Sequence, residues 1–159
     1  FGDNTAGQSS IPVLPAGVTY TAVAAGGSHS LALRSNGTVV AFGSNFDNQT
    51  VVPVLPAGVT YTAVAGGSSH SLALRSNGTV VAFGGNTDGQ TNVPVLPAGV
   101  TYTAVAGGDT HSLALRSAAA PAPALAVSGV DSTAAVMVGV IILLLGAAVL
   151  TTTARRQRA

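Results

Sequence analysis

Short runs of alternating apolar and polar residues, separated by turn residues, fill the first part of the chain. The stretch SLALR (30–34) places its two leucines on one face of an extended chain. The β-branched stretches VTYTAVA (18–24) and TVVAF (38–42) lie on either side of it. Asn36 and Gly37 tolerate positive φ and suit a hairpin turn between the last two stretches. The pattern therefore predicts three antiparallel strands between residues 18 and 42.

A fourth strand is predicted further along the chain. The polar loop GSNFDNQ (43–49) precedes the apolar stretch TVVPVLP (50–56). Pro53 and Pro56 have no backbone N–H to donate, so this stretch fits only at the edge of a sheet. We therefore expect four short strands in each unit.

The unit repeats every 41 residues, as the spacing of the three histidines shows: His29, His70 and His111. Residues 1–41 match 42–82 at 32 of 41 positions, and 42–76 match 83–117 at 29 of 35 positions. A fixed period of this length is typical of a repeat architecture, and four strands in about 40 residues correspond to one β-propeller blade. The alternation excludes a helical repeat, and the absence of Trp argues against WD40 blades. A parallel β-helix is the structural alternative.

The spaced pattern GxxHSLALRSNGTVVAFGxNxxxQ resembles the repeat of the regulator of chromosome condensation (RCC1) family. In the middle copy of this pattern, residues 67–90, the matching residues are Gly67, His70, Ser71, Leu72, Ala73, Leu74, Gly78, Phe83, Gly84, Asn86, Gly89 and Gln90. The resemblance implies a propeller of about seven four-stranded blades. The connector GQTNVPVLPAGV looks most like that of bacterial secreted members, which include an inhibitor of β-lactamase.

Two features depart from the family pattern. Phe stands where the family usually has Trp, and the chain supplies at most three blades. We therefore expect an all-β fold, a partial propeller of about three RCC1-like blades that is truncated at its N-terminus. Either further blades upstream or association would cover its open faces.

The alternation ends after Ser117, where an Ala/Pro spacer begins (118–124). Residues 132–154 carry no charge, and a run of 23 such residues is long enough to cross a bilayer as a helix. The basic residues 155–159 follow, which places the C-terminus in the cytoplasm and the repeats outside the cell. A buried core helix is the alternative.

A pentapeptide precedes this apolar stretch: Leu125, Ala126, Val127, Ser128 and Gly129. With the apolar span and the basic end, it resembles the cell-wall sorting signal of Gram-positive bacteria. The resemblance implies cleavage by a sortase between Ser128 and Gly129, although Ser128 stands where the signal usually has Thr. A plain linker before a membrane anchor is the alternative. The predicted organisation is RCC1-like repeats at 1–41, 42–82 and 83–117, a linker at 118–131, a transmembrane helix at 132–154 and a tail at 155–159.

The charges exclude one class of partner. Residues 1–131 contain three Arg and five Asp, a net charge of −2, and the overall +1 comes from the tail. Nucleic-acid binding needs a basic face that neutralises phosphates, so we expect no nucleic-acid partner. The chain has no Cys, which excludes disulfides and thiolate chemistry.

The three histidines invite a metal hypothesis, because histidine is the commonest metal ligand. Equivalent positions in neighbouring blades lie too far apart for one ion, so we expect no metal and no cofactor. We predict instead that each histidine bonds neighbouring backbone and locks its blade beside a glycine, the residues being His29, His70, His111, Gly26, Gly67 and Gly108. The chain has no Gly-x-Ser-x-Gly motif and no Glu, so no enzymatic activity is expected.

The differences between repeats point to a different candidate. They cluster in the loop after the third predicted strand, where Phe46, Asp47 and Asn48 form a candidate ligand-contact loop. A second cluster contains Gly27, Ser68 and Asp109.

These patterns indicate a non-catalytic binding or display module on the cell surface. It would be anchored in the membrane or the wall, with an extracellular protein or glycan as its ligand. An inhibitor propeller of the β-lactamase-inhibitor kind is the first alternative. A nucleotide-exchange regulator is disfavoured by the extracellular orientation and the acidic repeats.

Overall fold

The computed structural model describes residues 1–118, which form three consecutive antiparallel sheets. The predicted all-β fold is confirmed there, and the described residues contain no helix. The eight strands of this part of the chain are β1 (Tyr20–Ala25), β2 (His29–Arg34), β3 (Val39–Gly43), β4 (Tyr61–Gly66), β5 (His70–Arg75), β6 (Val80–Gly84), β7 (Tyr102–Gly107) and β8 (Ser112–Arg116). They pair in the orders β1-β2-β3, β4-β5-β6 and β7-β8.

The predicted linker, transmembrane helix and basic tail lie outside the described residues. A search of residues 1–118 finds no helix long and apolar enough to cross a membrane.

The Asn-Gly hairpin forms where the sequence predicts it. Gly37 has a φ of 75°, and its N–H donates to the carbonyl of Arg34 at 2.9 Å. The side-chain oxygen of Asn36 accepts the N–H of Thr38 at 3.2 Å. This turn sets the register that pairs Leu33 with Val39.

The predicted fourth strand is wrong: within the described residues, the first two sheets have three strands each and the third has two. Residues 50–56 form no strand: the N–H groups of Val51 and Val52 are used in local turns, 3.1 Å from the carbonyls of Asn48 and Thr50 respectively. The carbonyl of Pro53 accepts the Tyr61 hydroxyl at 2.7 Å instead of joining a ladder. The segment is therefore a connector fixed to the next sheet by a tyrosine.

The third sheet has two strands within the described residues, and the sequence departs from the repeat after Ser117. Val93, Leu96 and Tyr102 line a groove of about 480 Å³. Their counterparts Val52, Leu55 and Tyr61 pack with Val81 and Phe83 of β6.

The hydrophobic core lies between consecutive sheets. Leu33 of β2 packs with Tyr61 and Ala73 of the second sheet. Leu72 and Leu74 of β5 pack in the same way with Tyr102 of the third sheet. The second sheet therefore buries one face against the first sheet and the other face against the third, as blades of a propeller do.

Backbone hydrogen bonds join the sheets at both ends. At the hairpin end, Tyr61 N donates to Gly37 O and Tyr102 N donates to Gly78 O, each at 2.8 Å. At the opposite end, Ser68 N donates to Asp109 O at 3.2 Å. The contact between sheets is therefore polar at its ends and apolar in its middle.

Two glycines with the same backbone conformation allow the packing of the turn to be measured. Gly37 and Gly58 both have a φ of 75°, but a Cβ at Gly37 would lie 2.5 Å from Thr60 Cβ, whereas a Cβ at Gly58 meets nothing. We expect Gly58→Ala to cost about 1–2 kcal/mol for the left-handed conformation. We expect Gly37→Ala to cost about 1–3 kcal/mol more, because the added methyl overpacks the joint.

Urea denaturation followed by circular dichroism measures both losses. Equal losses for the two variants would contradict the contact between the turn and the next sheet.

Candidate functional site

A buried hydrogen-bonded chain links the first sheet to the second. His29 begins β2, and its Nε2 lies 2.8 Å from the Oγ of Ser71 in the next sheet. Ser71 Oγ donates in turn to the carbonyl of Gln49 at 2.7 Å. All three residues are buried. We call this His–Ser–Gln chain a clamp. The histidine therefore bonds a side-chain hydroxyl of the neighbouring sheet, not the backbone contact expected from the sequence.

The same clamp joins the second and third sheets. His70 Nε2 lies 3.0 Å from Ser112 Oγ, which donates to Gln90 O at 2.7 Å. The first repeat has only half of a clamp, because Ser30 Oγ donates to Gln8 O at 2.8 Å and no ring bonds to it within residues 1–118. The remaining histidine, His111, is exposed and directly precedes β8.

The geometry of the clamp fixes the tautomer of its histidine. The single hydroxyl proton of Ser71 is given to Gln49, so His29 Nε2 must carry the proton of the other bond. Nδ1 is then unprotonated, and it is buried without a hydrogen-bond partner. The ring lies so close to Gly26 that a Cβ there would overlap it.

Burial lowers the pKa of both clamp histidines. Protonation of His29 would place a second ring N–H at buried Nδ1, where no acceptor lies. Burial is the main cause of its lowered pKa, and the charge of His70 adds to it. Burial is also the main cause of the lowered pKa of His70. The rings are therefore held neutral at neutral pH.

The clamp is built as a structural link. Its serine proton goes to a backbone carbonyl, its Nε2 carries a proton and its unprotonated Nδ1 is buried, so it offers neither an activated nucleophile nor an accessible base. Within residues 1–118, no three His, Cys, Asp or Glu side chains come together as a metal site. His29 and His70 therefore hold sheets together.

The variable residues gather at one end of the sheets. Ala25 pairs with Ser30, and His29 pairs with Gly43, so the loop 26–28 and the loop 44–49 lie at the same end. We call this end, with the equivalent loops of the other repeats, the variable end. Within residues 1–117, every residue that differs between repeats lies in these loops or within three positions of them. The hairpin turns at the opposite end are identical in the first two repeats.

The ligand-contact loop predicted around Phe46 is held rigidly. Asn45 Oδ1 accepts the N–H of Thr50 at 3.0 Å, and Gln49 Oε1 accepts the N–H of Asp47 at 2.9 Å. Phe46 lies between these two anchors, and 96% of its surface is exposed. The loop therefore presents an aromatic ring to solvent on a fixed backbone.

Asn45 and Gln49 belong to the repeat pattern, but no role in the loop was predicted for them. Gln49 supports the loop through its side chain and the clamp through its carbonyl, and Asn45 closes the turn. Their role could have been inferred from their identity across the repeats, because the residues around them vary. The identical residues are Asn4, Asn45 and Asn86, and Gln8, Gln49 and Gln90.

Asn48 takes the left-handed backbone position of this loop. Its φ is 65°, where Gly7 and Gly89 of the other repeats have 83° and 80°. Asparagine is one of the few residues that tolerate this region. The second repeat thus keeps the loop conformation with a different side chain.

Comparison with known families identifies the repeats. Residues 20–49 and 61–90 match the family described as the regulator of chromosome condensation (RCC1) repeat. Residues 20–49 and 61–90 are thus RCC1 repeats. Each matched segment runs from the first strand of a sheet to a clamp glutamine, Gln49 or Gln90. A search of curated protein sequences finds no match.

Solved RCC1-like structures share the fold. Prp20p from Saccharomyces cerevisiae aligns with a TM-score of 0.56 and 26% identity, over 66% of this chain and 30% of that protein. Yeast RCC1 (Prp20) bound to Kap60 aligns equally well, over 67% and 29%. Human WBSCR16 aligns with a TM-score of 0.53 and 24% identity, over 64% and 34%, and supports the fold alone. The chain thus spans about a third of the length of these proteins, as a partial set of RCC1-like propeller blades.

The clamp can be tested by removing one hydroxyl in two repeats. Ser71→Ala leaves the His29 Nε2–H and the Gln49 carbonyl without a partner in a buried site, so we expect a loss of about 1–3 kcal/mol in the free energy of unfolding. Ser30→Ala frees only the Gln8 carbonyl, so we expect a loss below about 1 kcal/mol. Chemical denaturation at neutral pH measures both, and a Ser30→Ala loss equal to or above that of Ser71→Ala would refute the role of the ring.

The lowered histidine pKa values predict pH-dependent stability. The folded state disfavours protonation, so its stability is full above the unfolded pKa of about 6.5 and falls as the pH drops toward the lowered folded pKa. Unfolding at pH 8 and pH 5 should therefore show a less stable protein at pH 5. His70→Gln should reduce this difference, because it removes one of the two histidines whose pKa burial lowers. A protein that gains stability at pH 5 would contradict the neutral clamp.

Proposed function

We propose that the chain is a non-catalytic binding module that contacts a protein ligand through the variable end. The observation that carries this proposal is that the differences between repeats within residues 1–117 lie at one end of the sheets. A rigid scaffold with variable loops is the usual arrangement of binding proteins. The repeats supply the scaffold, and the loops supply the specificity.

The chemistry of the Phe46 loop favours a protein over a glycan as its ligand. An exposed aromatic ring on a fixed backbone can enter an apolar pocket at little entropic cost. RCC1-like proteins of known structure offer a parallel: Prp20p has binding properties toward Gsp1p and histones, and a Prp20 structure contains Kap60. These partners are those of Prp20p. For this chain we infer only the class of ligand, which is a protein.

The non-catalytic part of the proposal is supported by what the polar groups do. The buried His, Ser and Gln of each clamp bond one another, and the chain contains neither Glu nor Cys. Acid–base or nucleophilic catalysis needs such groups free and directed at a substrate.

An enzyme inhibitor is the second candidate function. The Phe46 loop is anchored on both sides by Asn45 and Gln49, and a preorganised loop with a protruding side chain can fill an enzyme cleft. This candidate uses the same loop as the first and differs only in the class of ligand.

We further propose that the module is held at the cell surface. The support is the sequence alone: a pentapeptide at 125–129, an uncharged stretch at 132–154 and a basic end. Together they suit a membrane anchor or a sortase substrate, with the repeats on the outer side.

A loop exchange tests the binding role without disturbing the fold. The triple variant Ser44→Gly, Phe46→Thr, Asn48→Gly gives the second repeat the loop residues of the third, which fold in this chain already. We expect ligand affinity to fall by about tenfold or more, because an exposed aromatic anchor is lost. The control Val54→Ala removes an equally exposed side chain from a connector.

The assay uses the purified chain as bait for cell-envelope and secreted proteins, followed by affinity measurement on the captured protein, and a glycan array in parallel. Capture that is unchanged by the loop exchange would overturn the role of this loop. Binding on the glycan array alone would overturn the protein ligand.

Anchoring is tested by fractionation in a Gram-positive host that contains a sortase. We expect the unaltered chain in the wall fraction, and Gly129→Leu in the membrane fraction because the cleavage site is lost. Val130→Ala is the matched control outside the pentapeptide. Wall retention of Gly129→Leu would refute sorting, and a chain found free in the cytosol would refute anchoring altogether.

A further inference from the structure

The two ends of the sheets carry opposite charge. Within residues 1–118, the acidic side chains all lie in the loops of the variable end, and they are Asp3, Asp47, Asp88 and Asp109. The arginines of this part are the last residues of β2, β5 and β8, and they are Arg34, Arg75 and Arg116. These strands end where the hairpin turns begin, and we call this the hairpin end. The variable end is therefore anionic and the hairpin end cationic.

The positive charges of the hairpin end are too far from the acidic residues to be neutralised by them. A six-residue strand such as β5 is about 20 Å long, whereas salt screens exposed charges beyond about 8 Å at physiological ionic strength. Arg34 and Arg75 are both partly exposed, and the Nε of each has no hydrogen-bond partner within residues 1–118. Arg75 lies in the second sheet, which has a neighbouring sheet on each side, so its exposure is a property of the stacked repeats.

A polar groove beside Arg75 offers hydrogen-bond donors to an oxyanion. It measures about 430 Å³, lies between the second and third sheets and is lined in part by Arg75 and Ser76. Ser76 Oγ accepts the N–H of Thr60 at 3.1 Å, which leaves its own proton for a ligand. The first repeat has the same pair, Arg34 and Ser35, and Ser35 Oγ is likewise an acceptor. Arginine beside a hydroxyl is a donor set that suits phosphate oxygens.

The chain leaves the third sheet at this same end. β8 runs from the variable end to the hairpin end and finishes at Arg116, shortly before the predicted linker at 118–131 and the uncharged stretch at 132–154. Residues 118–131 can span at most about 45 Å, so an anchor at 132–154 would keep the repeats within that distance of a bilayer. The hairpin end is therefore the end that is joined to the proposed anchor, and the variable end lies on the far side.

We propose that, in the membrane-anchored form, the hairpin end docks on an anionic bilayer surface, where Arg34 and Arg75 bind lipid phosphates. This inference rests on the proposed anchor. Each basic residue near such a surface strengthens the attraction about fivefold, and the short linker makes this sufficient by holding the arginines close to the lipid. The same surface repels the acidic variable end. The loop that carries Phe46 therefore points away from the membrane, toward its ligand.

Fluorescence quenching in vesicles tests the docking, using the full chain inserted through its own anchor. The chain has no native Cys, so Thr79→Cys labels the hairpin end and Thr87→Cys the variable end, both at exposed positions. A membrane-impermeant fluorophore is attached from outside, and a lipid with a spin-labelled headgroup is the quencher. We expect the Thr79→Cys label to be quenched in vesicles that contain phosphatidylglycerol but not in phosphatidylcholine alone. The Thr87→Cys label should be quenched in neither.

Charge variants separate local docking from an effect of net charge. Arg34→Gln with Arg75→Gln should lower the ratio of docked to undocked protein at least about tenfold, because two charges are lost. Arg34→Lys with Arg75→Lys keeps both charges and should retain docking. Asp47→Asn with Asp88→Asn changes the net charge equally at the far end and should leave the quenching of the Thr79→Cys label unchanged. Without any charge variant, about 1 M salt should release the hairpin end, since it shortens the screening length to about 3 Å.

Vesicle flotation distinguishes failure of this inference from failure of the anchor, and circular dichroism checks that each variant is folded. A chain that does not float with the vesicles would overturn the anchor, and the docking with it. A chain that floats while its Thr79→Cys label stays unquenched in anionic vesicles would overturn the docking alone. Equal quenching of the two labels, or quenching that neither salt nor the loss of both arginine charges reduces, would also overturn the docking.

Discussion

The structure depends on a hydrogen bond from a buried histidine to a serine in the next sheet. The sheets are short, so no single sheet has a core of its own, and the apolar faces are covered only where sheets stack. The clamp sets how they stack, because a buried ring N–H that loses its acceptor costs more than a surface bond. The histidine thus fixes the position of one sheet relative to the next, and the leucines beside it contribute the buried apolar surface.

The same clamp connects the scaffold to the loops. Gln49 accepts the serine proton through its backbone and holds the Phe46 loop through its side chain. The loop therefore ends on a residue whose position is fixed by contacts with two sheets. This explains how residues 44, 46, 47 and 48 can change between repeats while the loop keeps its backbone, including a left-handed position filled by Gly or Asn.

Much of the fold was predictable because it is local. The Asn36-Gly37 turn and the alternation in SLALR identify β2 and β3 to within one residue of their observed bounds. The prediction of a fourth strand was wrong because it used only the local sequence. The Pro53 carbonyl accepts a hydrogen bond from the hydroxyl of Tyr61, a residue outside the segment. The candidate site was predictable only in part. Phe46 stood out as an aromatic residue in a polar loop, whereas the partner of His29 lies 42 positions away and meets it only when two sheets stack.

The tautomer of the clamp histidines tests the central claim most directly. Long-range ¹H–¹⁵N NMR spectra distinguish a proton on Nε2 from one on Nδ1 and follow each ring through its titration. We predict that His29 and His70 carry the proton on Nε2 and titrate below the ordinary histidine range, and that Ser71→Ala changes the His29 signals. A proton on Nδ1, or a pKa of His29 above the ordinary range, would contradict the clamp.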